Sequence, residues 1–357
     1  MFKPKLIIIH GMGQHTADSF KEEFVEGCRA AFSLYDGFRG SSPEHFVEII
    51  PVTYSDLVDD YRLPVASFPG SFREAIESIP EIRTQLLPGA EAAFIALEKD
   101  PSKAALLKTH GLDAFLYRYS RLGQIARERL GRAVAQAARS IHGGVQNVHL
   151  LAHALGTSVL HDTLSQLYTP PPTLADLGNL DTSHHKLGSV HMVANISRLM
   201  ASSIKVNQSL VKPSNSGCIY NYREYRHRYD PITWARPFNP KNDGRWISSG
   251  DWQFEAYKLL EFDDVTDEYG NTHSLHNYLN NPRVHRELFR LAFGIEFDEE
   301  QTAQGDDRYF CQTRTQITEY MQAAFSHLRN LNSLDGMISA AAELKDFVEQ
   351  RGGQFRL

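Results

Sequence analysis

Two short stretches constrain the architecture more tightly than anything else in the chain. In "NVHLLAHALGTSVLHDTLSQL", Val148 to Ala152 reads as a short apolar strand and Gly156 onward as a helix, with a very tight turn between them. In "KLIIIHGMGQHT", the apolar run Leu6 to Ile9 has the continuous character of a strand buried on both faces of a sheet, and it stops abruptly at His10-Gly11 in a glycine-bracketed turn. A sheet buried on both faces needs helices on both faces, so these stretches predict a layered α/β fold.

The rest of the pattern agrees. Asp18 to Phe32 places Phe20, Phe24, Cys28 and Ala31 at helical spacing, and "HFVEIIPVTYSD" supplies a second strand within His45 to Ser55, which completes a βαβ opening. Residues 57–144 hold no convincing strand; Phe72 to Leu97 and Leu112 to Ile141 carry apolar residues at helical intervals, broken by Pro80, Pro88, Pro101 and Gly111. This segment reads as a helical insertion or cap. Further strands are expected at Ser189 to Asn195, Cys218 to Tyr222 and Tyr257 to Phe262. From Gln312 to Glu349 the tail looks helical, with Ile317, Met321, Phe325 and Leu328 on one stripe, so helices within 310–357 are expected to pack on the outside of the sheet. The expectation is one domain over 1–357 with a mainly parallel sheet flanked by helices.

Composition narrows the function. With 357 residues, 42% hydrophobic and 22% charged, the chain has the balance of a globular protein rather than a disordered or disulfide-stapled one. A formal charge of −6 gives no global basic field, so no nucleic-acid partner is expected. Cys28, Cys218 and Cys311 are far apart and show no CxxC spacing, which argues against a disulfide framework and for a reducing compartment. The opening apolar run is too short for a signal-peptide core, and no stretch approaches the length of a membrane span. The expected location is the cytoplasm, or outside the cell by a route that reads no N-terminal signal.

The strongest chemical signal is Ala152-His153-Ala154-Leu155-Gly156 between a strand and a helix. Small residues at its first and last positions permit the strained turn of a nucleophile elbow, whose middle residue attacks the substrate. Here the middle residue is Ala154, which has no hydroxyl and cannot attack. Ser158 lies one turn along the helix, away from the apex, and does not substitute for it.

At these residues the chain resembles the α/β-hydrolase superfamily, particularly its lipase and esterase branches, where "AHSLGT"-like elbows occur together with an "HG.G" loop after an early strand. The resemblance implies an α/β-hydrolase fold with a helical cap, and an oxyanion hole from the backbone N–H groups of Leu155 and Met12. Gly11 and Gly13 would let the backbone approach the substrate oxygen, and His10 would brace that loop rather than transfer protons. The family's chain order is nucleophile, acid, base. Asp230, followed by Pro231 in "CIYNYREYRHRYDPIT", is then the acid, against the plain reading that Asp-Pro merely starts a turn. The base follows the last strand, where His273 is preferred over His276, because Ser274 is poised as a helix N-cap and His276 already lies in the first turn.

Competing motifs fail. The chain has no GxxxxGK[ST] loop and no HExxH, "GMGQHT" lacks the third glycine of a dinucleotide fingerprint, and the adjacent pair His184-His185 has the wrong spacing for a metal site. No cofactor and no metal are expected. Ala154 admits three explanations, ranked in this order: deliberate replacement of a serine to trap or detoxify an enzyme, a natural pseudo-hydrolase that binds or assembles with a protein partner, and chance resemblance. The leading expectation is a serine ester hydrolase of lipase or phospholipase type, inactive as written, whose substrate is a lipid or other ester in an acyl site that apolar insertion segments such as "LLPGAEAAFIAL" would line, against the plain reading that those residues pack the cap onto the sheet.

Overall fold

A computed structural model of the chain describes residues 3–98, 111–141, 143–169, 177, 180–200, 209–234, 236–240, 256–267, 270–324 and 344. Its centre is a six-stranded, all-parallel sheet in the order β2-β1-β3-β4-β5-β6. The strands are β1 (Lys5–Ile9), β2 (Glu48–Val52), β3 (Val148–His153), β4 (Leu187–Val193), β5 (Ile219–His227) and β6 (Tyr257–Phe262). The expected strands are all present. The fifth extends beyond its expected end at Tyr222, because "YNYREYRH" alternates charge with aromatics and disguises a buried strand; Arg223 and Glu224 are both 1% exposed.

Parallel strands cannot be joined by hairpins, and the crossovers from β1 to β2, β2 to β3 and β3 to β4 carry helices that cover the sheet. One face is covered by α1 (Ala17–Ser33), packed on Leu6 and Ile8 of β1. The other face, with Ile7 and Ile9, lies under the helices that lead into and out of β3. Thr16 starts α1 with a full capping box to Ser19, and Phe20, Phe24, Cys28 and Phe32 bury its inner stripe.

The stretch 57–144 is helical where it is described. It holds α2 (Asp56–Ser67), α3 (Phe72–Glu77), α4 (Ala90–Glu98), α5 (Leu112–Tyr119) and α6 (Leu122–Ser140), with a single turn at Pro80–Arg83. Its parts differ in role. Helix α6 is the crossover from β2 to β3: Leu130, Val134 and Ala137 join Ile7, Val148 and Leu150 in one core, whereas α3 to α5 gather Phe72, Phe94 and Phe115 into an aromatic cluster.

After β3 comes α7 (Leu155–Tyr168), and after β6 come α8 (Leu275–Asn280), α9 (Pro282–Leu288), α10 (Glu299–Phe310) and α11 (Thr315–Ala324). The pair α8–α9 packs with α1 on its side of the sheet, where Leu279 meets Gly27 so closely that a Cβ on that glycine would sit 2.8 Å away. Within the tail, Met321 is fully buried; Phe325 and Leu328 lie outside the described residues.

Strand order places the site. The chain passes from β1 to β2 on one side and returns to β3 on the other, so the sheet changes winding direction between β1 and β3. Ligand crevices of open α/β sheets form at the carboxyl ends of strands flanking such a reversal. Ile9 is in register with Ala152, which sets His10-Gly11 beside His153-Ala154.

Candidate active site

The turn between β3 and α7 is as sharp as its sequence demands. Ala154 has φ 48° and ψ −119°, a left-handed conformation that costs an L-residue energy and persists only where its surroundings impose it. The surroundings are identifiable. Ala154 N–H donates to the Val193 carbonyl at 3.0 Å, and Thr157 Oγ1–H donates to the Ala154 carbonyl at 2.6 Å while accepting from Ile196 N–H at 3.1 Å. A Cβ on Gly156 would stand 2.4 Å from the His10 carbonyl oxygen, so only glycine lets α7 start against the end of β1. A Cβ on Gly11 would lie 2.9 Å from Ala154 Cβ, so the apex side chain faces the glycine loop directly.

The acid and base candidates meet. His273 Nδ1–H donates to Asp230 Oδ2 at 2.8 Å, and both side chains are essentially inaccessible to solvent. Asp230 Oδ2 also accepts from Tyr278 Oη–H at 3.0 Å, and Oδ1 accepts from Ile232 N–H at 3.2 Å. Tyr278 Oη in turn accepts from His227 N–H at 3.0 Å, which ties the arrangement to the end of β5. Asp230 therefore both starts a turn, Pro231–Trp234, and binds the imidazole.

In the tautomer that donates Nδ1–H to Asp230, the other ring nitrogen, Nε2, is left as an acceptor. That nitrogen is buried and has no hydrogen-bond partner among the described residues. Orphaned buried polar atoms are scarce in native structures and ask for a cause. The ring lies 4.7 Å, centroid to centroid, from that of His153, the residue before the apex, and His153 Nε2–H donates to the His273 carbonyl at 2.8 Å. Burial, reinforced by the neighbouring His273, pushes the His153 imidazole well below its ordinary titration range.

The glycine loop is held from several sides. His10 Nε2 accepts from Tyr54 N–H at 3.1 Å, so its proton sits on Nδ1 and is donated to the Gly11 carbonyl at 2.7 Å. Its ring stacks on Tyr54 with centroids 4.2 Å apart, and burial keeps it well below the ordinary histidine range. His10 is thus placed as a brace of the loop. Met12 is 3% exposed and Leu155 is fully buried. The Leu155 N–H opens α7, where no intrahelical acceptor exists for it.

The other candidates lie apart. His276 is exposed on α8, away from Asp230. Ser274 is the N-cap residue of α8, but its side chain makes no capping hydrogen bond. Ser158 sits one turn inside α7 with its hydroxyl buried. His184 and His185 both turn to Asp181 on an exposed loop, and among the described residues no group of three or more His, Cys, Asp or Glu side chains could hold a metal ion. No helix among the described residues is long and apolar enough to cross a membrane.

Sequence reasoning misses several residues that shape the site: Tyr278, Thr157 and Tyr54, and the pair Arg62 and Asp113. Thr157 had a signal, being part of "ALGT". Asp113 had a fainter one, as the lone charge in the apolar run "LDAFLY". Tyr278 is one aromatic among many in a helix, and its hydroxyl contacts depend wholly on how α8 is docked. Compared with family models, with curated proteins and with solved structures, the chain finds no match.

Proposed function

We propose that the chain has the α/β-hydrolase fold and carries the site of a serine ester hydrolase from which the nucleophilic hydroxyl is missing. The observation that carries this reading is the orphaned Nε2 of His273: it is buried, backed by Asp230 and adjacent to the turn that holds Ala154. A serine hydroxyl at the apex would supply the partner that nitrogen lacks.

With Ala154→Ser, the serine hydroxyl would attack an ester carbonyl as its proton passes to His273 Nε2. Asp230 would hold the imidazole in the correct tautomer and stabilise the imidazolium that forms. The N–H groups of Leu155 and Met12 would receive the developing oxyanion, the first with the positive end of α7 behind it. The imidazolium would then return its proton to the leaving alkoxide, and water would release the acyl group by the same sequence in reverse. As the chain stands, Ala154 allows binding without covalent turnover. The substrate class we favour is a lipid ester. Support comes from the apolar composition of the 57–144 segment, as in "LLPGAEAAFIAL".

The test is to introduce Ala154→Ser and assay p-nitrophenyl and phospholipid esters together with covalent labelling by a fluorophosphonate. Hydrolysis and labelling are expected. A folded Ala154→Ser protein that shows neither removes the hydrolase reading and leaves a binding or assembly module.

A further inference from the structure

The segment between β2 and β3 contributes more than a roof. Three successive peptide groups of the glycine loop are each gripped by side chains from outside it. The Gly11 carbonyl accepts from Tyr54 Oη–H at 2.6 Å and from His10 Nδ1–H at 2.7 Å. The Gly13 N–H donates to Asp113 Oδ2 at 2.9 Å. The Gly13 carbonyl accepts from Arg62 Nη2–H at 2.9 Å and from Ser55 Oγ–H at 2.8 Å. Arg62 and Asp113 also bind each other, with Nη1 lying 2.7 Å from Oδ1 and Nη2 2.9 Å from Oδ2, and Arg62 Nε–H reaches Asp59 Oδ1 at 2.9 Å.

Asp113 is only 2% exposed. A buried ion pair is weak support for stability, since the cost of desolvating two charges offsets most of their attraction. Its use here is geometric. One forked guanidinium and one carboxylate take the N–H and the C=O of the same glycine, whose φ of 114° no other residue adopts easily. A trans peptide is planar, with its N–H opposed to its C=O, so fixing the Gly11 carbonyl on Tyr54 and His10 fixes the direction of the Met12 N–H. Fixing Gly13 stops that plane from rotating at its other end.

We propose that Arg62 and Asp113 are positioning residues that set the Met12 N–H as an oxyanion donor. This inference rests on the hydrolase reading above, and it makes α2 and α5 part of the catalytic framework rather than a detachable lid. Neither side chain would touch the substrate.

Two measurements test it. In the full chain as it stands, isotope-labelled at glycine, Asp113→Asn should speed amide exchange of Gly13 by about tenfold or more, while Gly305 in α10 is unaffected. In the Ala154→Ser background, Asp113→Asn and Arg62→Gln should each lower kcat by about 10- to 100-fold with KM held within about twofold, because a small misplacement of a donor acts on the transition state. Together they should cost no more than the worse of the two, since the pair acts as one clamp. Arg62→Lys, which keeps the charge and loses the fork, should not restore kcat. Unchanged Gly13 exchange overturns the clamp. Altered KM at unchanged kcat overturns the positioning role and assigns the pair to substrate roofing. An inactive, folded Ala154→Ser protein removes the catalytic half of the proposal with the reading it rests on, and the exchange experiment then decides the clamp alone.

Discussion

His273 Nδ1 lies 2.8 Å from Asp230 Oδ2, although 43 positions separate the two residues in the chain. The contact joins the loop after β5 to the loop after β6, and Tyr278 from the following helix holds the same carboxylate oxygen at 3.0 Å. A buried carboxylate with three donors around it is a fixed acceptor rather than a mobile one, and so can dictate the tautomer of the ring it faces.

On the hydrolase reading, that relationship predicts how an active Ala154→Ser protein would lose its activity. Asp230→Asn should lower kcat by about 10^4-fold, because an amide can offer its NH2 to the ring and stabilise the wrong tautomer. His273→Ala should lose about as much alone as together with Asp230→Asn, since the groups act as a unit. Steady-state kinetics on an activated ester measure both. Full activity in His273→Ala would take the base role away from this histidine.

The elbow makes a separate prediction about stability. An alanine in a helix is ordinarily better than glycine by about 1 kcal/mol. At Gly156 the added Cβ meets backbone oxygens of His10 and Ile9 at 2.4 and 2.8 Å, and backbone cannot step aside as a side chain can. Gly156→Ala should therefore destabilise the fold by about 1–3 kcal/mol in urea unfolding, despite the gain in propensity. Gly11→Ala should also destabilise, and Ala154→Gly should partly rescue it, because the nearest clash is with Ala154 Cβ. Independent, additive effects of those two changes would show that the apex does not face the loop.

Acid should weaken the fold through its buried histidines. Burial pushes His149 and His227 down to about 4 and His285 to about 3, from an ordinary value of 6.5. The unfolded chain takes up protons as pH falls through 6.5 while the folded chain does not, so stability is full above that pH and declines below it until the folded values are reached. The depressions correspond to roughly 3 kcal/mol each for His149 and His227 and roughly 5 kcal/mol for His285 at the acid end. Denaturant midpoints measured at pH 7, 6 and 5 should fall steadily. A flat profile over that interval would mean that these rings take up protons in the folded protein as they do in the unfolded chain.

Much of this molecule was legible in the chain because the signals are local. The run Leu6 to Ile9 must be covered on both sides, the step from Val148 to Gly156 leaves room only for a tight turn, and Asp230-Pro231 and His273-Ser274 mark turns after strands. Those facts follow from side-chain volume, backbone freedom and hydrogen-bonding capacity over a few residues, and they singled out Ala154, Asp230 and His273 as candidates. What the chain could not disclose is which groups meet. That His273 rather than His276 turns inward depends on how α8 docks against α1, where Leu279 fills the space left by Gly27. That "YREYRH" is a buried strand depends on Glu287 and Tyr257 arriving to pair Arg223 and Glu224. That Arg62 and Asp113 grip Gly13 depends on two insertion helices converging on a loop far from both in sequence. Each is a long-range contact whose energy exists only after the intervening chain has been ordered, so no window of sequence contains it.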